Sequence, residues 1–268
     1  MFSYEEFLVN GVLNLFIKKL WSLNNLQNPD QITQKSILPN GCFTLAFIEG
    51  NGLSIEIGSE VAHYKEGVYF CGQLTKVIKV DVLPFTKAIM VQLFPWTPVH
   101  FTSLNMALYV NRLVPVEDLN LKIQLRSTPI LNISYLSILK FTWLNFAPLF
   151  KTNRSSDFIT GSCKMLISSD HDQILKELCT RQGCSQRQLQ KKFKRHLGLG
   201  PKEFSIIIKL RKAIDDLAFT ENSTQTLTRL AISNHFYDQA HFNHTFQSIV
   251  KTSPKKFNAP DFLLSFKK

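Results

Sequence analysis

Acidic residues are scarce in this chain of 268 residues: 20 Asp and Glu stand against 31 Lys and Arg, a formal charge of +11. That balance attracts polyanions, nucleic acid first and an anionic membrane surface second. Cysteine is scarce as well. Cys42, Cys71, Cys163, Cys179 and Cys184 are odd in number and scattered, which excludes a disulfide scaffold and suits the reducing cytoplasm. The start, Met1 to Glu6, lacks a basic stretch followed by an apolar one, so a secretory signal is not expected. There is no Gly-rich phosphate loop, no nucleophile elbow and no acidic cluster for Mg²⁺; neither an enzyme nor a cofactor is expected. Metal is not expected either. His241 and His244 are spaced i, i+3 without a third ligand, and Cys179 and Cys184 lack a second pair. His63, His100, Cys42 and Cys71 show no spacing of a nucleophilic or metal-binding set.

The composition is that of a globular protein, with 44% hydrophobic residues, and the length favours two domains. Around Phe16, Ile17, Leu20 and Trp21 the mixture of apolar and polar residues reads as a short helix or an irregular lead-in. Strands follow. Pro39-Asn40-Gly41 marks a turn, Cys42 to Ile48 is β-prone, Glu49-Gly50-Asn51-Gly52 signals a hairpin, and Leu53 to Ile57 alternates with period two. Val68–Cys71, Val77–Val82 and Ala88–Phe94 read the same way, which suggests a β-sandwich or barrel. Residues 131–150 are largely apolar, but Lys140 would sit in mid-span of a membrane helix, so a buried or dimer-forming helix is preferred. The polar run Lys151 to Asp157 marks the domain boundary, and beyond it the apolar period becomes helical.

The basic excess lies beyond that boundary. Residues 170–268 hold 17 basic and 9 acidic side chains, against 14 and 11 before them. Ile174, Leu175, Leu178 and Cys179 share a helical face. Gly183 suits a tight turn, and Ser185 is an N-cap for a helix from Gln186 to His196. Leu189 and Phe193 face inward there; Gln186, Arg187, Gln190, Lys191 and Lys194 face out. Arg and Lys suit phosphates and guanine, Gln suits adenine edges. A solvated amphipathic helix explains this segment equally well on its own. The sequel is less neutral. Gly198 closes the helix, Pro201 opens another that runs to about Phe219, and a second unit follows. Ser185, Leu189, Phe193, Pro201 and Phe204 are echoed by Asp238, Phe242, Phe246, Pro254 and Phe257, each 53 residues later. Two helix-turn-helix units joined by one helix are poorly explained as solvated surface.

The stretches Gly183–Phe193, Gly198-Leu-Gly-Pro-Lys-Glu-Phe204, Leu210-Arg-Lys-Ala213 and Phe236-Tyr-Asp-Gln-Ala-His-Phe242 with Phe246 and Pro254-Lys-Lys-Phe257 resemble the DNA-binding domain of AraC/XylS-type transcription regulators. The resemblance spans about Phe158 to Phe257. It implies an α+β chain: a β-rich N-terminal domain, residues 1–155, followed by an all-α double helix-turn-helix DNA-binding domain, residues 157–268. It implies two recognition helices in successive major-groove segments of double-stranded DNA. The first reads through Gln186, Arg187, Gln190, Lys191 and Lys194, the second through Gln239, Ala240, His241, Asn243 and His244. RNA polymerase is a candidate partner. Leu38-Pro-Asn-Gly-Cys42, Cys71-Gly-Gln-Leu-Thr75 and Gln92-Leu-Phe-Pro-Trp96 resemble the N-terminal domain of one branch of these regulators. That implies a sensing or dimerisation module for an unknown small-molecule effector, with a homodimer formed through this half. The family usually carries Gly where this chain has His235 and Lys251, so a positive φ is expected at His235. From Gln225 to Val250 only Arg229 and Asp238 are charged.

Two rivals differ in class. One is a small-molecule-binding or enzymatic β-domain with a basic tail that binds nucleic acid without sequence preference. The other is a membrane-associated protein anchored through residues 131–150. The preferred reading is a cytoplasmic, sequence-specific DNA-binding transcription regulator.

Overall fold

The computed structural model describes residues 2–119, 133–147, 150–169, 174–219 and 226–263. Among the described residues ten strands build the first half. They are β1 (Ser3–Phe7), β2 (Ile17–Asn25), β3 (Ile32–Ile37), β4 (Phe43–Gly50), β5 (Leu53–Ile57), β6 (Glu60–Tyr64), β7 (Gly67–Cys71), β8 (Ile78–Val82), β9 (Thr86–Leu93) and β10 (Leu113–Pro115). A six-stranded sheet runs β1-β2-β9-β4-β7-β10 and a four-stranded sheet β3-β8-β5-β6, with antiparallel neighbours throughout.

Period-two alternation sorts each central strand of the larger sheet into two cores. On β4, Ala46 and Ile48 face the smaller sheet and pack with Leu53, Ile55, Val80 and Val82. Phe43, Leu45 and Phe47 face the other way, with Ile89, Val91 and Leu93 of β9. The helix or irregular lead-in expected around Ile17 to Trp21 is instead β2. This strand lies between β1 and β9 and is buried on both faces, Leu20 in one core and Trp21 and Leu23 in the other. Burial on both faces removes the polar half of the alternation, so the pattern by which a strand is recognised is absent.

The hairpin expected at Glu49–Gly52 is also corrected. β4 and β5 do not pair; they belong to different sheets, and Gly50 and Gly52 turn the corner between them. Both have positive φ, 90° and 102°, and a Cβ on either would stand 2.0–2.2 Å from a backbone carbonyl oxygen, of Phe85 and Tyr64 respectively. Close backbone approach, and not a two-residue turn, is what those glycines serve.

The outer face of the larger sheet is covered by α2 (Tyr135–Phe146), capped by Ser134, which buries Ile138 and Phe141. This is the helix expected in the apolar stretch 131–150; residues 131–132 and 148–149 lie outside the described residues. Among the described residues no helix is long and apolar enough to cross a membrane. Before α2, the short helix α1 (Thr97–Phe101) and a 3-10 turn at Met106–Tyr109 lead out of β9.

The remaining helices are α3 (Arg154–Ser168), α4 (Ile174–Arg181), α5 (Gln186–Leu197), α6 (Pro201–Phe219), α7 (Leu227–Ser233) and α8 (Gln239–Val250). They form two cores, one around Leu189, Phe193 and Phe204, the other around Phe242, Phe246 and Leu230. Each reaches into the β-rich half. Trp96 and Val99 join the first and Leu38 the second. Backbone bonds from Val77 N to Ile249 O (2.8 Å) and from Leu263 N to Ser36 O (2.8 Å) tie the halves together.

Candidate nucleic-acid interface

The two helix-turn-helix units are built by the same local chemistry. In the first, α4 ends where Gly183 takes φ 56°, with Cys184 N donating to Cys179 O and Gly183 N to Thr180 O. In the second, His235 takes φ 59°, with Phe236 N donating to Ala231 O and His235 N to Ile232 O. Both are Schellman closures. The positive φ expected at His235 is therefore present, in a non-glycine residue. These pairs are related by an offset of 52 residues, whereas from the N-caps onward, Ser185 and Asp238, the offset is 53. The second turn is thus one residue longer. Tyr237, the residue before its N-cap, is 88% exposed.

Ser185 accepts from Gln188 N and Gln188 answers to Ser185 N, a capping box that fixes the start of α5. Asp238 accepts from His241 N at 2.7 Å at the start of α8. Leu189, Phe193 and Leu197 bury one face of α5. Gln186, Arg187, Gln190, Lys191 and Lys194 lie exposed on the other. Three of them stand apart. Arg187 and Lys191 have no acidic partner among the described residues. Gln190 leans on Gly200, where a Cβ would come within 2.6 Å of its Nε2. Lys194, by contrast, is engaged: its Nζ lies 3.3 Å from Glu203 Oε2 and 3.3 Å from the Gly198 carbonyl. That ion pair crosses from α5 to α6, so sequence spacing on one helix did not reveal it.

On α8, Ala240, His241 and His244 are exposed, and Gln239 and Asn243 are half-buried. Gln239 Oε1 accepts from Thr228 Oγ1 at 2.5 Å, which ties the start of α8 to α7. The ring of His241 meets Phe236 edge-on at 5.6 Å. The side-chain oxygen of Asn243 is buried without a hydrogen-bond partner among the described residues, so Asn243 does not offer its whole amide outward. Gln247 and Ser248 extend the exposed face, and the sequence reading did not include them. The C-termini of the two recognition helices are closed alike, by Gly198 at φ 83° and Lys251 at φ 64°. Their surroundings differ. A Cβ on Gly198 would stand 2.6 Å from Val110 Cγ2 and 2.8 Å from Met106 O, so the end of α5 lies against the β-rich half.

Among the described residues no group of three or more His, Cys, Asp or Glu is arranged to hold a metal. Residues 178–259 match the family described as a helix-turn-helix domain, and residues 6–115 match a domain of unknown function (DUF6597). An uncharacterized HTH-type transcriptional regulator of Staphylococcus aureus is 31% identical over 104 residues, 38% of this chain and 14% of the relative. The chain thus spans a small part of that relative's length. Among solved structures, ToxT from Vibrio cholerae aligns over 95% of this chain and 97% of its own at 11% identity and a TM-score of 0.46. A transcriptional regulator from Chromobacterium violaceum with an AraC-type DNA-binding domain covers 38% of this chain and 87% of its own at 17% identity and a TM-score of 0.31. The stretch from Leu178 to Ala259, which holds both capped recognition helices and α6, is thus the part of the chain that matches the helix-turn-helix domain family.

Proposed function

We propose that the protein is a sequence-specific DNA-binding transcription regulator. In this reading residues 157–268 contact DNA, and residues 1–155 sense an effector or join two copies. The observation that carries the reading is the duplication itself: two capped helices with polar outer faces, one before and one after a single 19-residue helix, α6. At 1.5 Å per residue α6 is about 28 Å long, the scale of the ~34 Å between successive major-groove segments on one side of a duplex. Arg187 and Lys191 would meet phosphates or guanines, and Gln186 and Gln190 base edges. Ala240, His241 and His244 would lie in the second groove segment, with Gln239 placing the helix and Asn243 at its margin. No catalytic role is assigned to any residue. RNA polymerase is the partner such a regulator would engage, in the cytoplasm.

The test is selection of bound sequences from random duplexes with the full chain. A consensus with two blocks about one helical turn apart is expected. Gln190→Ala should cost about 1–3 kcal/mol on the selected site and relax one base position. Enrichment of no sequence at all would leave a basic surface that binds nucleic acid without preference.

A further inference from the structure

The space between the two sheets is filled by side chains, but the opposite face of the larger sheet is not fully covered. A cavity of about 220 Å³ lies there, between Leu45, Phe70 and Leu93 of the sheet and Trp143 and Phe146 of α2. It is closed at one end by α1 and the chain that follows, through Phe101 and Met106. Among the described residues no charged side chain lines it. Besides the indole N–H of Trp143, the polar side chains in its wall among the described residues are three threonines, each hydrogen-bonded to backbone. Thr97 donates to Phe16 O at 2.6 Å, Thr142 donates to Ile138 O at 2.8 Å, and Thr102 accepts from Leu104 N at 3.1 Å.

We propose that this cavity takes a small, uncharged, lipophilic ligand, and that residues 96–110 carry its occupancy to the first helix-turn-helix unit. The second clause rests on the regulator reading above; the first does not.

Size and lining set the ligand class. A dry cavity of about 150 Å³ lined by aliphatic and aromatic groups holds benzene. A cavity of 220 Å³ therefore suits one to two fused rings or a short branched hydrocarbon. A carboxylate buried there would lose its water and find no cation among the described residues, with only the Thr102 hydroxyl and the Trp143 indole N–H left to donate, a cost too large for the apolar contacts to offset.

The route follows from what residues 96–110 touch. Thr97, Pro98, Phe101 and Met106 line the cavity. Trp96 and Val99, on the same short stretch, sit in the core with Leu189, Phe193 and Leu197 of α5. Trp96 Nε1 also donates to the carbonyl of Leu15, another lining residue, at 3.1 Å. The Met106 carbonyl and Val110 lie against Gly198, the residue that ends α5. One stretch thus has the cavity on one side and the basic recognition helix on the other. Packed interiors transmit a displaced wall and do not absorb it.

The experiment uses the full chain with naphthalene and naphthalene-2-carboxylate as probes, read by equilibrium dialysis. Naphthalene should bind at one site, and the carboxylate at least about 100-fold more weakly. Ala147→Phe and, separately, Leu104→Trp should fill the cavity and abolish naphthalene binding while the variants melt cooperatively. Two variants are used so that one poorly folded protein does not decide the result. On a selected duplex, saturating naphthalene should change the affinity of the parent about five-fold or more, within the usual span of coupling between sites, and leave both variants unmoved. Absence of naphthalene binding, equal binding by either folded variant, or carboxylate binding as tight as naphthalene would each overturn the site. Binding with no change in DNA affinity would overturn the route through residues 96–110. If the chain selects no DNA sequence, the regulator reading fails, and dialysis still decides the cavity.

Discussion

The two helix-turn-helix units share a skeleton and differ in almost everything laid upon it. From Ser185 to Lys212 there are nine Lys or Arg and one Glu; from Gln225 to Val250 only Arg229 and Asp238 carry charge. The first recognition helix ends in a glycine packed against Met106 and Val110 of the β-rich half, the second in an exposed lysine held at φ 64°. What the duplicated sequence preserves is therefore burial and turn geometry: Leu189 and Phe193 against Phe242 and Phe246, Gly183 against His235. What it lets drift is the outer face. A fold can be copied at the level of its core while the two copies take different shares of one binding task.

Four measurements would break or sharpen that contrast. The largest effect is expected at Gly198. Gly198→Ala forces a side chain into positive φ and against Met106 O and Val110, so it should destabilise the chain by about 2–5 kcal/mol, read as a fall in Tm. Lys251→Gly, at the matching position of the second unit, should leave the chain equally stable or raise Tm. Equal behaviour at the two positions would deny that the cap residue of the first unit is packed tightly against the β-rich half while that of the second, whose unit meets the same half through Ile249 and Val77, is exposed.

Charge comes next. Arg187→Ala with Lys191→Ala should weaken binding to all duplexes and lower the slope of log affinity against log salt by about two, whereas Arg229→Ala should hardly move it. Lys194→Ala should lower the slope by less than one, because Glu203 already neutralises that ammonium. A full unit lost at Lys194 would mean that the ion pair opens on DNA.

A smaller effect is expected in the second turn. His235 holds φ 59°, which costs a non-glycine residue roughly 1–2 kcal/mol, and glycine returns part of that in unfolded-state entropy. His235→Gly should raise Tm by the remainder. A fall would show that contacts made by the histidine outweigh its backbone strain.

The smallest effect is acid sensitivity. Burial first, then Arg195 and Lys192, hold the His196 pKa below the ordinary histidine value. The unfolded chain takes up a proton there before the folded one does, so stability is lost as pH falls through and below about 6.5. The position 53 residues on is Ile249, which does not titrate. His196→Ile should flatten the decline of Tm between neutral and mildly acid pH; an unchanged profile would place the acid sensitivity elsewhere, His100 first, since its pKa is also lowered by burial.

Most of the helical half was legible because its signals are local. Ser185, Gly198, Pro201 and Asp238 each announce a helix end within four residues of the backbone groups they serve. The β-rich half hides its organisation in long-range pairing. Nothing near Ile17 says that β1 and β9 flank it, and nothing near Gly50 says that the carbonyl of Phe85 lies where a side chain would have to go. In the candidate interface the outward faces followed from helical period. The exceptions lay where a second element intervened: Glu203 of α6 on Lys194, and Thr228 of α7 on Gln239. The extra residue Tyr237 was visible only once the two turns were superposed by their hydrogen bonds.

The inequality of the units has a consequence for polarity. A symmetric dimer reads a palindrome and has no forward direction on the duplex. On the proposed function, one chain that carries an electrostatically strong unit and a nearly neutral one, held in fixed order by the unbroken helix α6, would read a site with a head and a tail. Turned end for end, the same site presents its blocks to the wrong readers. A chain that binds DNA as proposed would mark not only a place but a heading, in each copy.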